Sequence, residues 1–275
     1  MAAVAIASGA SAPASLPWSH HELATVLSPS QVQTFQDCAS KWWFKYGMGL
    51  PDPKTSNLSL GIAVHDAIAA NFRLKIDSGK DLPVDDVLQE FDAAWAEASI
   101  DTEFREDESP STIAEAGRGL ISLYMRDAAP KIQPGGVELE ITGNIGGVQV
   151  QGKLDLIDQA GEIHELKTAA KKSSTISMNH TFQLATYAQL GPTPISRVHV
   201  DTLVKTKTPQ LIQLTRTITA EDRRATETLY PLAQDSMRSG FYMPNRSSNL
   251  CSRKNCAFWR ACEAEYGGHV AGGDE

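Results

Sequence analysis

Cysteine is scarce in this 275-residue chain, with four in all, and no two of them form a C-x-x-C pair. That leaves out the usual double C-x-x-C zinc framework. No apolar run approaches the roughly 18 residues a membrane helix needs. The expectation is therefore a soluble protein with no membrane partner. The opening MAAVAIASGASAPASLPW has no basic start of the kind a secretion signal carries. Residues 1–24 read as a disordered lead-in, residues 266–275 as a flexible tail, and the cytoplasm as the expected compartment. There is no internal repeat and no G-x-x-x-x-G-K-[ST] phosphate loop, so a nucleotide-driven motor would have to be another chain.

Positive charge is also in short supply. The 25 Lys and Arg face 33 Asp and Glu, a net charge of −8, which at first argues against a polyanionic partner. The distribution changes that. Residues 79–108 hold eleven acids against Lys80 and Arg105, a local −9, so the rest of the chain sums to about +1. One solvated acidic face leaves room for a basic groove elsewhere.

What is present suits one domain over residues 25–265, with hydrophobic content of 41% to build its core. Ser28, Pro29 and Gln31 form a helix start, and Val32, Phe35, Trp42, Trp43 and Tyr46 continue it on one side. Further helices are expected over about 58–76, 84–98 and 111–127. Pro134-Gly135-Gly136 then breaks the helical run. VELEIT, VQVQGKLDLID and EIHELKT alternate apolar and polar residues, the period of half-buried strands. A helix over about 177–190 follows, then strands over 197–205 and 211–217, and a helix capped by Thr219 with Asp222 three residues on. The order predicts an α/β fold: a central mixed sheet flanked by helices, with an N-terminal helical layer and a C-terminal cysteine cluster.

The chemistry concentrates in GKLDLIDQAGEIHELKTAAKK. Residues two apart on a strand share a face, so Glu165 and Lys167 point together. A hairpin turning at 159–161 sets Asp155 nearly opposite Glu165. Two carboxylates that close repel unless a cation lies between them, and oxygen ligands select Mg²⁺ or Mn²⁺. A surface Glu165–Lys167 ion pair is the plainer alternative. In TFQLATYAQL, Gln183 and Tyr187 stand four apart on one helix face. In LGIAVHDAI, His65 falls early in a helix.

GKLDLID, ELKT, QLATY and LGIAVH, with SPSQVQTFQDCASKWWFKY upstream, occur in the same order as in the PD-(D/E)XK nucleases of the RecB/Cas4-like exonuclease branch. The resemblance spans about residues 28–262. It implies a restriction-endonuclease-like core. It implies His65, Asp155 and Glu165 as metal ligands, joined by the Leu166 carbonyl, and Lys167 as the catalytic lysine. Gln183 and Tyr187 look like that branch's Q-x-x-x-Y motif, which contacts DNA. Asp158 reads as a supporting or surface acid. Lys171 and Lys172, and the segment with Lys205 and Lys207, are candidates for tracking phosphates.

Cys38, Cys251, Cys256 and Cys262 can supply four thiolates to one centre, zinc or iron–sulfur. One cysteine far upstream and three near the C-terminus is the arrangement of the iron–sulfur members of the same branch, which implies a [4Fe–4S] cluster. Two departures stand out: Ala39 follows Cys38 where the branch has proline, and the gap between Cys251 and Cys256 is longer. Arg253, Lys254 and Arg260 add positive charge there, either as phosphate contacts or as solvated surface. Trp42, Trp43 and Phe258 are either core or platforms for single-stranded bases.

The expected activity is a divalent-metal-dependent deoxyribonuclease, a single-stranded DNA exonuclease acting at ends in repair, recombination or CRISPR-type processing. Helicase, recombination or CRISPR proteins are its expected partners. The alternative is a non-catalytic DNA-binding scaffold in a helicase–nuclease or spacer-acquisition complex, or a zinc-stabilised structural protein.

Overall fold

The computed structural model describes residues 23–191 and 195–272. Most of the expected lead-in, residues 1–22, lies outside them, as do the last three residues of the expected tail.

The chain enters on the short strand β1 (Val26–Leu27), then α1 (Pro29–Asp37), whose first turn is capped by the Ser28 side chain accepting the Gln31 amide. The Gln31 side chain does not return the bond to Ser28; it donates to the Val26 carbonyl at 3.3 Å and ties α1 to β1. The single helix expected here is interrupted. Cys38 is extended, at φ −163° and ψ 109°, and separates α1 from α2 (Ala39–Trp42) and a π-helical turn over Trp43–Gly47. The break frees the Cys38 sulfur from the helix surface, and the Asn245 amide donates to it at 3.4 Å.

Next come β2 (Lys54–Thr55), α3 (Ser56–Ser78), α4 (Val84–Ala98), β3 (Thr102–Glu103) and α5 (Pro110–Asp127). Each of the long helices has a readable boundary. Thr55 and Ser109 cap α3 and α5, and Gly79 ends α3 in the left-handed conformation at φ 68°. Pro134-Gly135-Gly136 is not a separate breaker but the irregular start of β4 (Pro134–Ile145), where the register shifts. Gly146 and Gly147, at φ 60° and 89°, make the tight turn into β5 (Val148–Asp158). Then follow β6 (Ile163–Ala169), α6 (Met178–Leu190), β7 (Arg197–Val204), β8 (Gln210–Thr217), α7 (Ala220–Arg238) and α8 (Trp259–Tyr266). Thr219 and Asp222 close a full capping box on α7.

The strands form one mixed six-stranded sheet in the order β1-β5-β6-β7-β8, with β4 also paired to β5. α3, α4 and α5 cover one face through Leu60, Val64, Phe91 and Tyr124, meeting Leu156, Leu166 and Leu203 of the sheet. α6 covers the other through Leu184, Ala185 and Ala188 against Leu154, Ile163 and Val200. A third core joins the N-terminal helices to α7 and the C-terminal segment. Trp42, Trp43 and Phe258 belong to it, at 1%, 7% and 3% exposure, so they are core and not base-stacking platforms. The chain after α8 folds back: Val270 is buried, its amide donates to Glu263 at 2.7 Å, and Arg253 donates to the Ala271 carbonyl.

A candidate metal centre at a fork in the sheet

β4 runs along the whole of one edge of β5, whereas β1 and β6 share the other, taking its start and its end. The β5–β6 ladder holds only at Leu156↔His164 and Ile157↔Ile163. One residue further the strands part, and the two acids stand at the fork. Asp155 bridges it, its Oδ2 accepting the Leu166 amide at 2.9 Å. β6 continues along β7, which keeps Glu165 and Lys167 in place.

Helices bring in the rest from both faces. α3 presents His65, whose Nδ1 lies 3.5 Å from Asp155 Oδ1. α6 presents Gln183, which donates to Glu165 Oε1 at 2.8 Å and to the Tyr187 hydroxyl at 3.0 Å. Lys167 Nζ donates to the same Glu165 Oε1 at 2.5 Å. Glu165 is 2% exposed, yet its Oε2 has no hydrogen-bond partner among the described residues. A buried carboxylate oxygen without a partner is costly. One oxygen is clamped by two donors and the other is left bare, as an oxygen meant for a cation would be.

Glu138 was not singled out in the sequence. Its carboxylate, His65 and Asp155 offer ligand atoms all within 4.8 Å of one another. It faces Asp155 across β4–β5, between the Val137↔Leu156 and Leu139↔Leu154 pairs, and is bonded to Lys153. Its backbone is left-handed at φ 54°, a conformation that strains a non-glycine residue by roughly 1 kcal/mol or more. Strand alternation marked Glu138 and Glu140 alike as polar positions; the strain that distinguishes Glu138 has no sequence signature. Among the described residues the gathered donor set is His65, Asp155 and Glu138, one imidazole and two carboxylates, and Glu165 is not brought into it; oxygen donors of this kind, with the bare Glu165 oxygen nearby, fit a divalent cation of the magnesium or manganese kind.

Burial, reinforced by the Asp155 charge, pushes the Glu165 carboxyl up to about 7. Burial also pushes Asp155 upward, but the His65 hydrogen bond and charge, with Lys167 and the Leu166 amide, outweigh it and hold Asp155 below the usual range. Burial disfavours charged His65 and charged Lys167 too; the carboxylates outweigh it and raise both. Without a cation, Glu165 is the acid of the pair that takes up a proton more readily.

A stability slope follows. A carboxyl raised on folding stabilises the folded chain below its unfolded value, 4.5, and that stability is lost as pH rises through about 7. His65, raised above 6.5, contributes with the same sign. Asp155, lowered below 3.8, acts only at the acid end, where stability falls with falling pH. His164 and His180, which burial lowers from 6.5, act with the opposite sign, so the declining contribution of Glu165 across the 4.5-to-7 interval is read as the difference in Tm between metal-free wild type and Glu165→Gln. That difference should shrink as pH rises through the interval, and Mn²⁺ should remove the same contribution from wild type. A difference that does not change with pH would contradict the assignment.

Gly152 is explained by the same site. A Cβ there would lie 2.5 Å from Tyr187 Cε1. Gly152→Ala should displace the ring that Gln183 leans on and cost ~1–3 kcal/mol, read as a lower Tm in thermal unfolding. An unchanged Tm would mean that Tyr187 packs elsewhere.

The remaining residues fall in three places. Lys171 and Lys172 stand exposed in the loop beyond β6, away from the cleft lining. Asp158 closes the β5–β6 turn, accepting the Glu162 amide at 2.8 Å and pairing with His164 at 3.2 Å. Cys38, Cys251, Cys256 and Cys262 all line one cavity of about 60 Å³, far along the chain but close in space. Burial pushes the Cys256 and Cys262 thiols up, and neighbouring cysteines add to it. Arg246 donates to Cys262 Sγ at 3.5 Å. Among the described residues no three cysteine sulfurs gather within 4.8 Å of one another.

The model of the PD-(D/E)XK nuclease superfamily matches residues 26–263. Among solved structures, that of a candidate exonuclease from Eubacterium rectale superposes with a TM-score of 0.56 at 14% identity, covering 86% of this chain and 90% of that one. At that identity the likeness shows the fold alone. SSO0001 superposes with a TM-score of 0.38 at 15% identity, over 82% of this chain and 94% of that one, too loosely to carry an argument. No curated protein matches the sequence.

Proposed function

The chain belongs to the PD-(D/E)XK nuclease superfamily, and from that premise we propose that it is a divalent-metal-dependent deoxyribonuclease, acting as an exonuclease on single-stranded DNA ends. The observation that carries this reading is Glu165: one oxygen clamped by Lys167 and Gln183, the other buried and bare at a fork shared with Asp155 and His65.

His65, Asp155 and Glu165 would hold the metal, with the Leu166 carbonyl completing the set and Glu138 a further ligand that the sequence did not single out. When bound there, such a cation polarises a phosphoryl oxygen and lowers the pKa of a bound water. The other steps fall to the chain's own groups. Gln183 and Tyr187 orient the Glu165 carboxylate. Lys167, kept charged beside Glu165 and Asp155, stabilises the negative charge that develops on the phosphate or positions the attacking water. Tyr187 is buried and serves to hold Gln183, so of that pair only the half-buried Gln183 would meet the DNA backbone, and Lys171 and Lys172 would meet phosphates beyond the cleft.

The four cysteines fit an iron–sulfur cluster, which would join the N-terminal helices to the C-terminal segment. The Asn245 amide and Arg246, donating to Cys38 and Cys262, are the kind of partners that tune such sulfurs. The role proposed for it is structural.

Exonuclease action is tested with linear and covalently closed single-stranded DNA in Mn²⁺, the linear strand labelled at each end in turn. Ladder-like loss of one label, with circles spared, is expected and gives the polarity. Cutting of circles as fast as linear strands would replace the exonuclease by an endonuclease. Retention of DNA with no cutting would favour the scaffold alternative.

A further inference from the structure

Beside the metal cleft, of about 410 Å³, lies a second concavity of about 520 Å³. Asn57 lines both, so the two adjoin. Lys205 donates to the Asn57 side chain at this junction. The far wall is built by the cysteine segment, through Arg253, Lys254, Trp259 and Arg260. Two guanidiniums approach the Trp259 ring, Arg253 at 4.5 Å and Arg260 at 4.4 Å from its centroid.

Charge in the groove runs against the chain's overall −8. Two of its acids are already matched: Asp52 pairs with Lys45 at 2.7 Å and Glu108 with Arg105 at 2.7 Å. Among the described residues Glu103 has no cation within ion-pair distance. Arg253 pairs with Glu263 at 3.3 Å. Lys254 and Arg260 are exposed, and among the described residues neither has a carboxylate within ion-pair distance. An indole with two guanidiniums close to its ring, and cations along the rim, suits one kind of ligand. Unpaired bases stack on aromatic and guanidinium planes while their phosphates meet lysine and arginine. A duplex hides its base faces and could not use the stack.

We propose that this groove is the track of a single strand running to the metal cleft, with Trp259 and Arg260 as its stacking platform and Lys254 and Lys205 as phosphate contacts. The proposal rests on the nuclease reading above and adds to it where the strand lies. It also gives the cysteine centre a consequence for substrate, because α8 and the loop before it carry the platform.

The test is fluorescence anisotropy with labelled oligothymidylates of about 4 to about 16 nucleotides, in EDTA so that nothing is cut. Wild-type affinity should climb with length until cleft and groove are both filled. Lys254→Glu combined with Arg260→Ala should weaken the longest strand at least tenfold and the shortest little. The salt slope should drop by roughly 0.7 for each phosphate contact removed. Trp259→Ala should cost the long strand about tenfold, and Trp259→Phe should restore most of it. Lys254→Glu alone, an exposed loop change, keeps the test valid should the tryptophan variant misfold. Variants that bind long strands as tightly as wild type, or that lose affinity equally at every length, would overturn the track. Wild type that bound no strand of any length would sink the nuclease reading itself.

Discussion

Asp155→Asn should lower DNA cleavage at least ~10³-fold, about 4 kcal/mol of transition-state stabilisation, while leaving the chain folded. The amide has the carboxylate's shape and its remaining oxygen can still accept the Leu166 amide across the fork. What it loses is the charge that holds a cation and that keeps His65 raised. It also relieves Glu165, which Asp155 pushes up, but gives up the His65 and Lys167 interactions that hold Asp155 low, so metal-free Asp155→Asn should melt somewhat below wild type near neutral pH. Lys167→Ala should behave differently. It leaves the proposed ligands in place, so metal binding should persist while the rate falls by ~10²–10³. Single-turnover cleavage of an end-labelled strand, beside thermal unfolding, measures both. Retention of full rate by Asp155→Asn would remove Asp155 from the chemistry.

The second large effect is expected at Cys38. It lies more than two hundred residues from Cys251 in sequence, yet lines the same cavity. A centre joining them closes a very long loop, and a covalent closure of that order constrains the unfolded chain by on the order of 4–5 kcal/mol. Cys38→Ser should therefore lose the visible absorbance of an iron–sulfur centre, lose iron and sulfide together, and drop sharply in Tm. Packing of Trp43 on Tyr242, rings 4.6 Å apart and nearly parallel, and the Ser40 bond to the Tyr242 carbonyl would remain to hold the two ends loosely. If Cys38→Ser stayed folded at the wild-type Tm with iron retained, the staple would fail. Zinc at one per chain, without iron or sulfide in anaerobically prepared protein, would replace the cluster.

How far the sequence could be read differs from place to place. The hairpin that sets Asp155 against Glu165 was legible because period-two alternation and a Gly161 turn fix its register. The Val84–Ala98 helix was legible because its apolar spacing is unambiguous. Long-range pairing was not. β1 is two residues long and pairs parallel with β5 across more than a hundred residues, which no local pattern announces. The break at Cys38 was hidden because neither glycine nor proline marks it; bonds to residues beyond α7 accompany it. Gln183 and Tyr187 could be placed on one helix face, but only the fold shows that the face turns inward onto Glu165. Glu138 needed its backbone conformation to be noticed, and Trp259 needed its two arginines.

The central claim is that the bare oxygen of Glu165, with Asp155 and His65, holds a divalent cation. Calorimetric titration of Mn²⁺ into metal-free protein tests it most directly, with Asp155→Asn and Glu165→Gln run beside wild type. Saturable heat in wild type, strongly weakened in both variants, is the expected result. No heat in wild type, or equal binding by all three proteins, would contradict a metal centre at the fork.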